Sequence, residues 1–351
     1  MRYGIIATNP IERAVLATGR VPTPLIDTYA AAFGEAVLVA VERGLFDALK
    51  EGPLDAAGVA AACGTHPEAT EKVLNLLTSM RYLRWADGRF SLGSMARRFL
   101  LTDAPSSARD LILMKRLELS WIDRLGDFVR SGEPLDVHGT MTQEEWGLYQ
   151  RGMRTQAGLL VGSEATRRTP VPKGARDMLD IGGSHGYFSV ALCRRHPGLR
   201  AVVLDLPQAV EHAAPLLARE GMGDRVVHRA GNALTDDLGE SAYDLVIIWS
   251  LVHHFDDATN RELVRRAARA LRPSGVLAIG EAIRSRTPAK ANQLSAFFDL
   301  YFSLTSESGT WTFDEMASWQ RDAGLVPRRP IKLLTAQGVG IQAATRARDH
   351  N

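Results

Sequence analysis

The chain has 351 residues, of which 45% are hydrophobic and 23% charged. That apolar share can bury a sizeable core and excludes a disordered chain. Lys and Arg number 42 against 40 Asp and Glu, so the net charge of +2 excludes the concentrated basic surface that sequence-independent nucleic-acid binding needs. The two cysteines, Cys63 and Cys193, are 130 residues apart, which excludes a CxxC pair or a cysteine zinc cluster and is expected to leave two free thiols in a reducing cytoplasm. The N-terminal apolar run, Gly4 to Ala7, is too short for a signal peptide, and no run of 18 apolar residues occurs. A cytoplasmic protein with no membrane span is expected. At roughly 100–200 residues per domain, the length points to two domains.

The N-terminal half reads as helical. A helix is expected over Leu25–Arg43, ended by Gly44, followed by Leu45–Leu49 and a Gly52-Pro53 break. Ala56–Cys63 forms a short helix stopped by Gly64, and Pro67–Met80 a longer one with Val73, Leu74, Leu76, Leu77 and Met80 on its apolar side. Leu83–Trp85 and Arg89–Leu92 flank Asp87-Gly88 as a β-hairpin. Helices followed by a hairpin form a winged-helix pattern. The Pro67–Met80 helix carries Glu68, Glu71 and Lys72, with Arg81 just beyond, and has no basic stripe, so packing or dimerisation is favoured over DNA binding. Residues 105–165 continue as helices, with Met114, Trp121, Trp146, Tyr149 and Met153 spaced to line a cleft or a core.

After a break at Thr169–Gly174 the pattern alternates. Strands are expected at Met178–Ile181, Ala201–Leu204, Arg225–Val227, Tyr243–Trp249 and Val276–Gly280. Helices are expected at Phe188–Arg195, Ala209–Arg219 and Asn260–Leu271, the last closed by Pro273 and Gly275. Such alternation predicts an α/β fold, a parallel sheet covered on both faces, with ligands beyond the C-terminal ends of the strands.

The first strand runs into Asp180-Ile181-Gly182-Gly183-Ser184-His185-Gly186 and then a helix. Glycines there permit a tight turn and close approach of backbone to ligand. Asp205 ends the second strand, 19 residues past Gly186, where a carboxylate can accept hydrogen bonds from two ribose hydroxyls. The run is DxGGxxG and not the GxGxxG of pyrophosphate-binding loops. Asp180 would repel a pyrophosphate and attract a cationic amino end, which points to S-adenosylmethionine (SAM).

Asp180–Gly186, Asp205-Leu206-Pro207 and Val252-His253-His254-Phe255 resemble the small-molecule O-methyltransferases of the caffeate/acetylserotonin type. The likeness extends from about Glu35 to Leu325 and includes Ala40–Asp47. It implies a Rossmann-like SAM-binding domain preceded by a dimerisation domain. Residue by residue, Gly182 would lie against the methionine part of SAM, with Gly183 and Gly186 shaping the loop, Asp205 on the ribose beside Leu206, and Asn232-Ala233 at adenine. His253 matches the family's catalytic histidine and Glu281 the carboxylate that orients it. A Lys four residues before that histidine is frequent in the family; here Trp249 stands there and either stacks on adenine or fills the sheet. A second family carboxylate falls at Thr310, with Glu307 nearby but offset.

The chemistry fits a histidine. A phenol loses its proton near pH 10, and an imidazole with a reference pKa of about 6.5 can accept it near neutrality. The neighbouring His254 and Asp256 or Asp257 do not suggest a metal site, because adjacent side chains on an extended chain point apart; Asp256-Asp257 read instead as a helix cap. Arg265, Arg266 and Arg269 read as a solvated helix face. Phe297, Phe298, Tyr301 and Phe302 at near-helical spacing form an aromatic wall or a core. The reading is a dimerisation domain over 1–104, a helical connector contributing to the substrate pocket over 105–170, and a SAM-dependent catalytic domain over 171–351. It would act as a homodimer on a hydroxyl of an aromatic or polyketide-type natural product of secondary or antibiotic metabolism. The alternatives are C- or N-methylation on the same scaffold, or SAM binding without transfer.

Overall fold

The computed structural model describes residues 6–347. Gly4 and Ile5 of the short N-terminal apolar run lie outside the described residues. The chain divides into two compact units, one through Arg116 and one from Leu117 onward.

The first unit opens with α1 (Pro10–Ala17), which no periodicity signalled, capped by the Asn9 side chain. It continues through α2 (Thr23–Glu42), α3 (Leu45–Ala48), α4 (Ala56–Cys63) and α5 (Pro67–Ser79). The expected stops operate: Gly44 and Gly64 both adopt left-handed backbone at helix ends. The hairpin joins β1 (Leu83–Ala86) and β2 (Arg89–Leu92) through Asp87 and Gly88, both at positive φ as this tight turn requires. The helices α6 (Ser94–Phe99) and α7 (Arg109–Ile122) follow, and the division between the units falls inside α7. Val41, Phe46, Leu49, Leu74, Leu77 and Phe90 form the unit's core.

By length and composition α2 is apolar enough to cross a membrane, which a search for uninterrupted apolar runs overlooks because Asp27, Glu35 and Glu42 punctuate it. Glu35 and Glu42 both pair with Arg116, so these carboxylates are engaged within the unit.

The second unit begins with α8 (Leu125–Ser131), α9 (Val137–Thr140) and α10 (Gln143–Gln156). Thr142 and Glu145 form a reciprocal capping box that starts α10. A π-helical turn, Ala157–Val161, then leads into α11 (Gly162–Arg168). The alternating region gives β3 (Asp177–Ile181), α12 (Tyr187–Arg195), β4 (Arg200–Asp205), α13 (Pro207–Ala218), β5 (Val226–Ala230), β6 (Tyr243–Trp249), α14 (Asp257–Ala270) and β7 (Leu271–Ala282). Asp256 caps α14 by accepting from the Thr259 N–H, as expected. The helix ends at Ala270, close to the expected Leu271, but Pro273 and Gly275 lie within the following strand instead of in a loop before it. The strand starts at Leu271, and the register shift between Tyr243 and Leu245 absorbs those residues, with Ser274 at a φ of +67°.

The chain ends with α15 (Gln293–Thr305), α16 (Phe313–Asp322), β8 (Leu325–Pro327), β9 (Ile331–Lys332) and β10 (Val339–Arg346). Strand order is β5-β4-β3-β6-β7-β10-β8, with β9 also on β10. The first five are parallel, whereas β10 runs antiparallel to β7, β8 and β9. The sequence reading stopped at five strands, and the three late strands are the addition. Alternate residues of the buried strands feed opposite faces. Leu179, Ile181, Val246 and Ile248 pack with α14 and α16, while Met178, Leu245, Ile247 and Trp249 pack with α12.

Trp249 lies opposite Gly280 in this register, and its indole occupies the space a β-carbon at 280 would need. Gly280→Ala is therefore expected to cost about 1–3 kcal/mol of stability in urea unfolding; an unchanged midpoint would show that the indole is free to move.

Candidate active site

The loop after β3 is closed by its own packing. Gly182 has a φ of +67° and faces the Leu251 side chain; a β-carbon there would sit 2.8 Å from Leu251 Cδ2. A β-carbon on Gly183 would sit 2.7 Å from both Asp180 Oδ2 and Val203 Cγ1. Gly186 has a φ of +71° and starts α12. Glycine is thus demanded at 182 and 183 by internal contacts as well as by any ligand.

Beneath the loop Asp180 is 1% exposed. Its Oδ2 accepts from Ser189 Oγ at 2.7 Å, while Oδ1 is buried with no partner among the described residues. Burial holds this carboxyl up to about 7. Asp205 ends β4, and its two oxygens accept from the N–H groups of Ser184 and Leu206, each at 2.7 Å. Burial raises its carboxyl as well, against those bonds. Leu206 is 45% exposed beside it. Two carboxylates at adjacent strand ends, one with an orphaned oxygen, fit a cationic ligand with vicinal hydroxyls. The residues present therefore fit SAM.

After β5, the exposed Asn232 accepts from the Leu234 N–H through Oδ1 at 2.9 Å. The loop is held by Arg266, whose Nε donates to the Ala233 carbonyl at 3.0 Å and whose guanidinium also reaches the Asp236 carbonyl. Arg266 is thus not part of a solvated face. Its partners lie 33 and 30 residues away, beyond the reach of helical periodicity. Of the two readings of Trp249, the structure gives the packing one: the ring stacks on Phe188 at 4.4 Å and is 5% exposed.

Beyond β6 the chain makes a 3₁₀ turn, Val252–His254, instead of continuing extended. The expectation that His253 and His254 point apart fails for that reason: their rings lie 4.2 Å from centroid to centroid. Among the described residues no cluster of three His, Cys, Asp or Glu could hold a metal. His253 and Glu281 are 28 residues apart yet meet through the pairing of β6 with β7, with Nδ1 3.0 Å from Oε2. The His253 side chain is 4% exposed and that of Glu281 1%. The other Glu281 oxygen accepts from the Ala282 N–H. A carboxylate at Glu281 can only accept, so Nδ1 is the donor in this contact and Nε2 is the ring nitrogen left for another partner.

Two residues that sequence reading missed fix the turn. Asn260 Nδ2 donates to the Val252 carbonyl at 2.8 Å and to that of Phe255 at 2.9 Å, and Trp311 Nε1 donates to Val252 at 3.0 Å.

The aromatic residues singled out from sequence converge around this turn. Phe302 stacks on His253 at 3.6 Å. Tyr301 approaches Trp121 at 6.4 Å, and Trp121 approaches Tyr149 at the same distance. His138, which carried no signal of its own, lies 4.9 Å from His254 and 5.5 Å from both Trp146 and Tyr149. Burial brings the His138 imidazole down to about 4 and that of His254 well below its usual range, so both are neutral near pH 7. His254 also bonds Ser306 at 2.8 Å. Met114 is fully buried and belongs to the first unit. Thr310 is buried and gives both its N–H and hydroxyl to Asp299 Oδ1, whereas Glu307 is exposed.

The sequence matches the O-methyltransferase domain family over residues 131–325, more than half of the chain, and the O-methyltransferase dimerisation domain over 28–102. The 3-hydroxy-5-methyl-1-naphthoate 3-O-methyltransferase of Streptomyces sahachiroi is 27% identical over 326 residues, covering 89% of this chain and 92% of the relative. The mitomycin biosynthesis 6-O-methyltransferase of Streptomyces lavendulae is 28% identical over 309 residues, covering 84% and 86%. The crystal structure of human N-acetylserotonin methyltransferase in complex with SAM shares the fold, with a TM-score of 0.81 at 21% identity over 92% of this chain and 97% of that one. The chain belongs to the O-methyltransferase family. It is a methyltransferase and its cofactor is SAM.

Asp180 gives a testable sign. Its carboxyl is near 7 in the folded protein against about 3.9 for a free side chain, so the ligand-free fold loses stability as pH rises from about 4 to 7. Asp180→Asn is expected to flatten that loss and to gain stability relative to wild type at pH 8 over pH 4.5 in thermal unfolding. Parallel pH curves for the two proteins would show that the carboxyl is not perturbed.

Proposed function

We propose that the protein transfers a methyl group from SAM to a hydroxyl of a small aromatic or polyketide-type natural product, with His253 as general base. The observation that carries this reading is the buried His253–Glu281 pair at the C-terminal end of β6. Bound SAM supplies a sulfonium-activated methyl group, so the protein's tasks are alignment and removal of one proton. His253 Nε2 accepts the hydroxyl proton, and Glu281 holds the imidazole in one tautomer and stabilises its cation. Asp180 and the Gly182–Gly186 loop take the cationic amino-acid end, and Asp205 takes the ribose. Asn232 faces adenine as a donor toward a ring nitrogen, since its oxygen is already engaged. The neutral, aromatic surroundings of Trp121, His138, Trp146, Tyr149 and Tyr301 suit a planar acceptor. The hydroxynaphthoate in one relative's name and the mitomycin biosynthesis in another's agree with that class.

Residues 1–104, winged-helix-like in pattern, serve as the dimerisation domain and residues 105–170 as the helical connector. The match to a dimerisation family supports the first role, as do Leu25, Tyr29 and Phe33, which leave α2 with 56%, 53% and 41% exposure. One observation favours a second reading, methylation at carbon or nitrogen: Thr310 stands where the family's second carboxylate falls, and an activated carbon needs less help from a base.

His253→Ala, assayed by S-adenosylhomocysteine release with an acceptor found by screening planar phenols, is expected to lower turnover by about 10²–10⁴. A change of only a few-fold would favour the second reading. Asp205→Ala is expected to weaken SAM binding in calorimetry by about 1–3 kcal/mol; unchanged affinity would mean that the ribose is held elsewhere.

A further inference from the structure

Ser184 sits inside the Gly182–Gly186 loop with a φ of +50°, in the left-handed region where a β-carbon is disfavoured. Its polar groups are all engaged. The N–H donates to Asp205 at 2.7 Å, the carbonyl accepts from His228 Nε2 at 2.8 Å, and the hydroxyl donates to Gln150 Oε1. A glycine would make the first two bonds without strain. The third alone needs serine.

Gln150 is 1% exposed in the middle of α10. Trp146 lies one turn before it, Tyr149 beside it and Met153 one turn after. Trp146 and Tyr149 both contact His138, which reaches His254. Two other contacts anchor the ends of α10. Gln143 bonds His212 of α13 at 2.8 Å, and Arg154 pairs with Glu220. The first does not reach the glycine loop, whereas the Arg154 guanidinium also lies 4.5 Å over the ring of Tyr187, just past Gly186. At its C-terminal end α10 runs into the π-helical turn, an irregularity of the kind that lets a helix adjust and that recurs at functional sites.

We propose that the Ser184–Gln150 hydrogen bond is a positioning contact that couples occupancy of the glycine-rich loop to the placement of α10, and so to the aromatic wall that receives the acceptor. The inference rests on the reading that this loop takes SAM. Binding in the loop steadies Ser184, Ser184 steadies Gln150, and Trp146 and Tyr149 are ordered before the acceptor arrives.

The test is hydrogen–deuterium exchange on the full chain with and without S-adenosylhomocysteine, alongside calorimetry of that ligand. In the wild type the ligand is expected to slow exchange across residues 143–156 by about five-fold or more. In Gln150→Leu the slowing is expected to fall below about two-fold while the ligand's Kd stays within about three-fold, and in Ser184→Gly, which keeps both backbone bonds, the slowing is expected to fall likewise. Wild-type α10 amides indifferent to bound ligand would overturn the inference, as would a Ser184→Gly protein that responds like wild type. A loss of affinity beyond about ten-fold in Gln150→Leu would make Gln150 a binding residue and overturn its positioning role. If the ligand fails to bind the wild type, the donor-site reading itself falls and takes the inference with it.

Discussion

Glu281 is a carboxylate at the end of a strand whose neighbours are almost all apolar, and its burial constrains everything around it. An unpartnered charge there would be prohibitive. One oxygen is met by the Ala282 N–H and the other by His253, which sits on a turn outside the sheet ladder. The turn must therefore be held as firmly as the strand. Asn260 and Trp311 do this by converging on the Val252 carbonyl, so the N-terminal end of α14 and the segment before α16 fix the imidazole. Phe302 covers its face. The result is a histidine held in one orientation in a buried setting, which on the proposed reading is what proton transfer at a defined atom requires.

The donor side shows the opposite economy. Asp180 and Asp205 end neighbouring parallel strands, and burial disfavours the charge on both. The ligand-free fold carries that cost, and a cationic ligand would relieve it. Unfavourable electrostatics in the free protein thus become selectivity for a positively charged donor on the proposed reading, and against phosphate-bearing nucleotides of similar shape. His138 and His254 follow the same logic near the aromatic residues: burial keeps both neutral, while His253 meets Glu281.

Local chemistry made much of this visible in the sequence. The β3–loop–α12 unit is marked by an apolar run followed by glycines, and the left-handed values at Gly182 and Gly186 explain why glycine is favoured there. The hairpin at Asp87-Gly88 and the cap at Asp256 are equally local. What sequence periodicity could not supply is which face of a strand meets which helix. Trp249 looked equally able to stack on a ligand or fill the sheet, and its place in the alternation puts it against Phe188. Arg266 looked solvated because the carbonyls it serves belong to a distant loop. Asn260, Gln150 and His138 carried no pattern because each acts on a partner that only the folded chain brings near. The antiparallel β8–β10 additions were missed for lack of a helix between them. The His253–Glu281 pairing came from family resemblance and not from spacing, since only the register of β6 on β7 makes 28 residues a contact.

On the proposed reading, the loops at the C-terminal ends of β3 and β4 present a methyl donor to His253. A crystal structure with S-adenosylhomocysteine tests it most directly. The expected complex has the ribose on Asp205, the amino-acid end over the Gly182–Gly186 loop, and the sulfur facing the space in front of His253 Nε2. A ligand bound elsewhere, or a sulfur walled off from that imidazole, would contradict it.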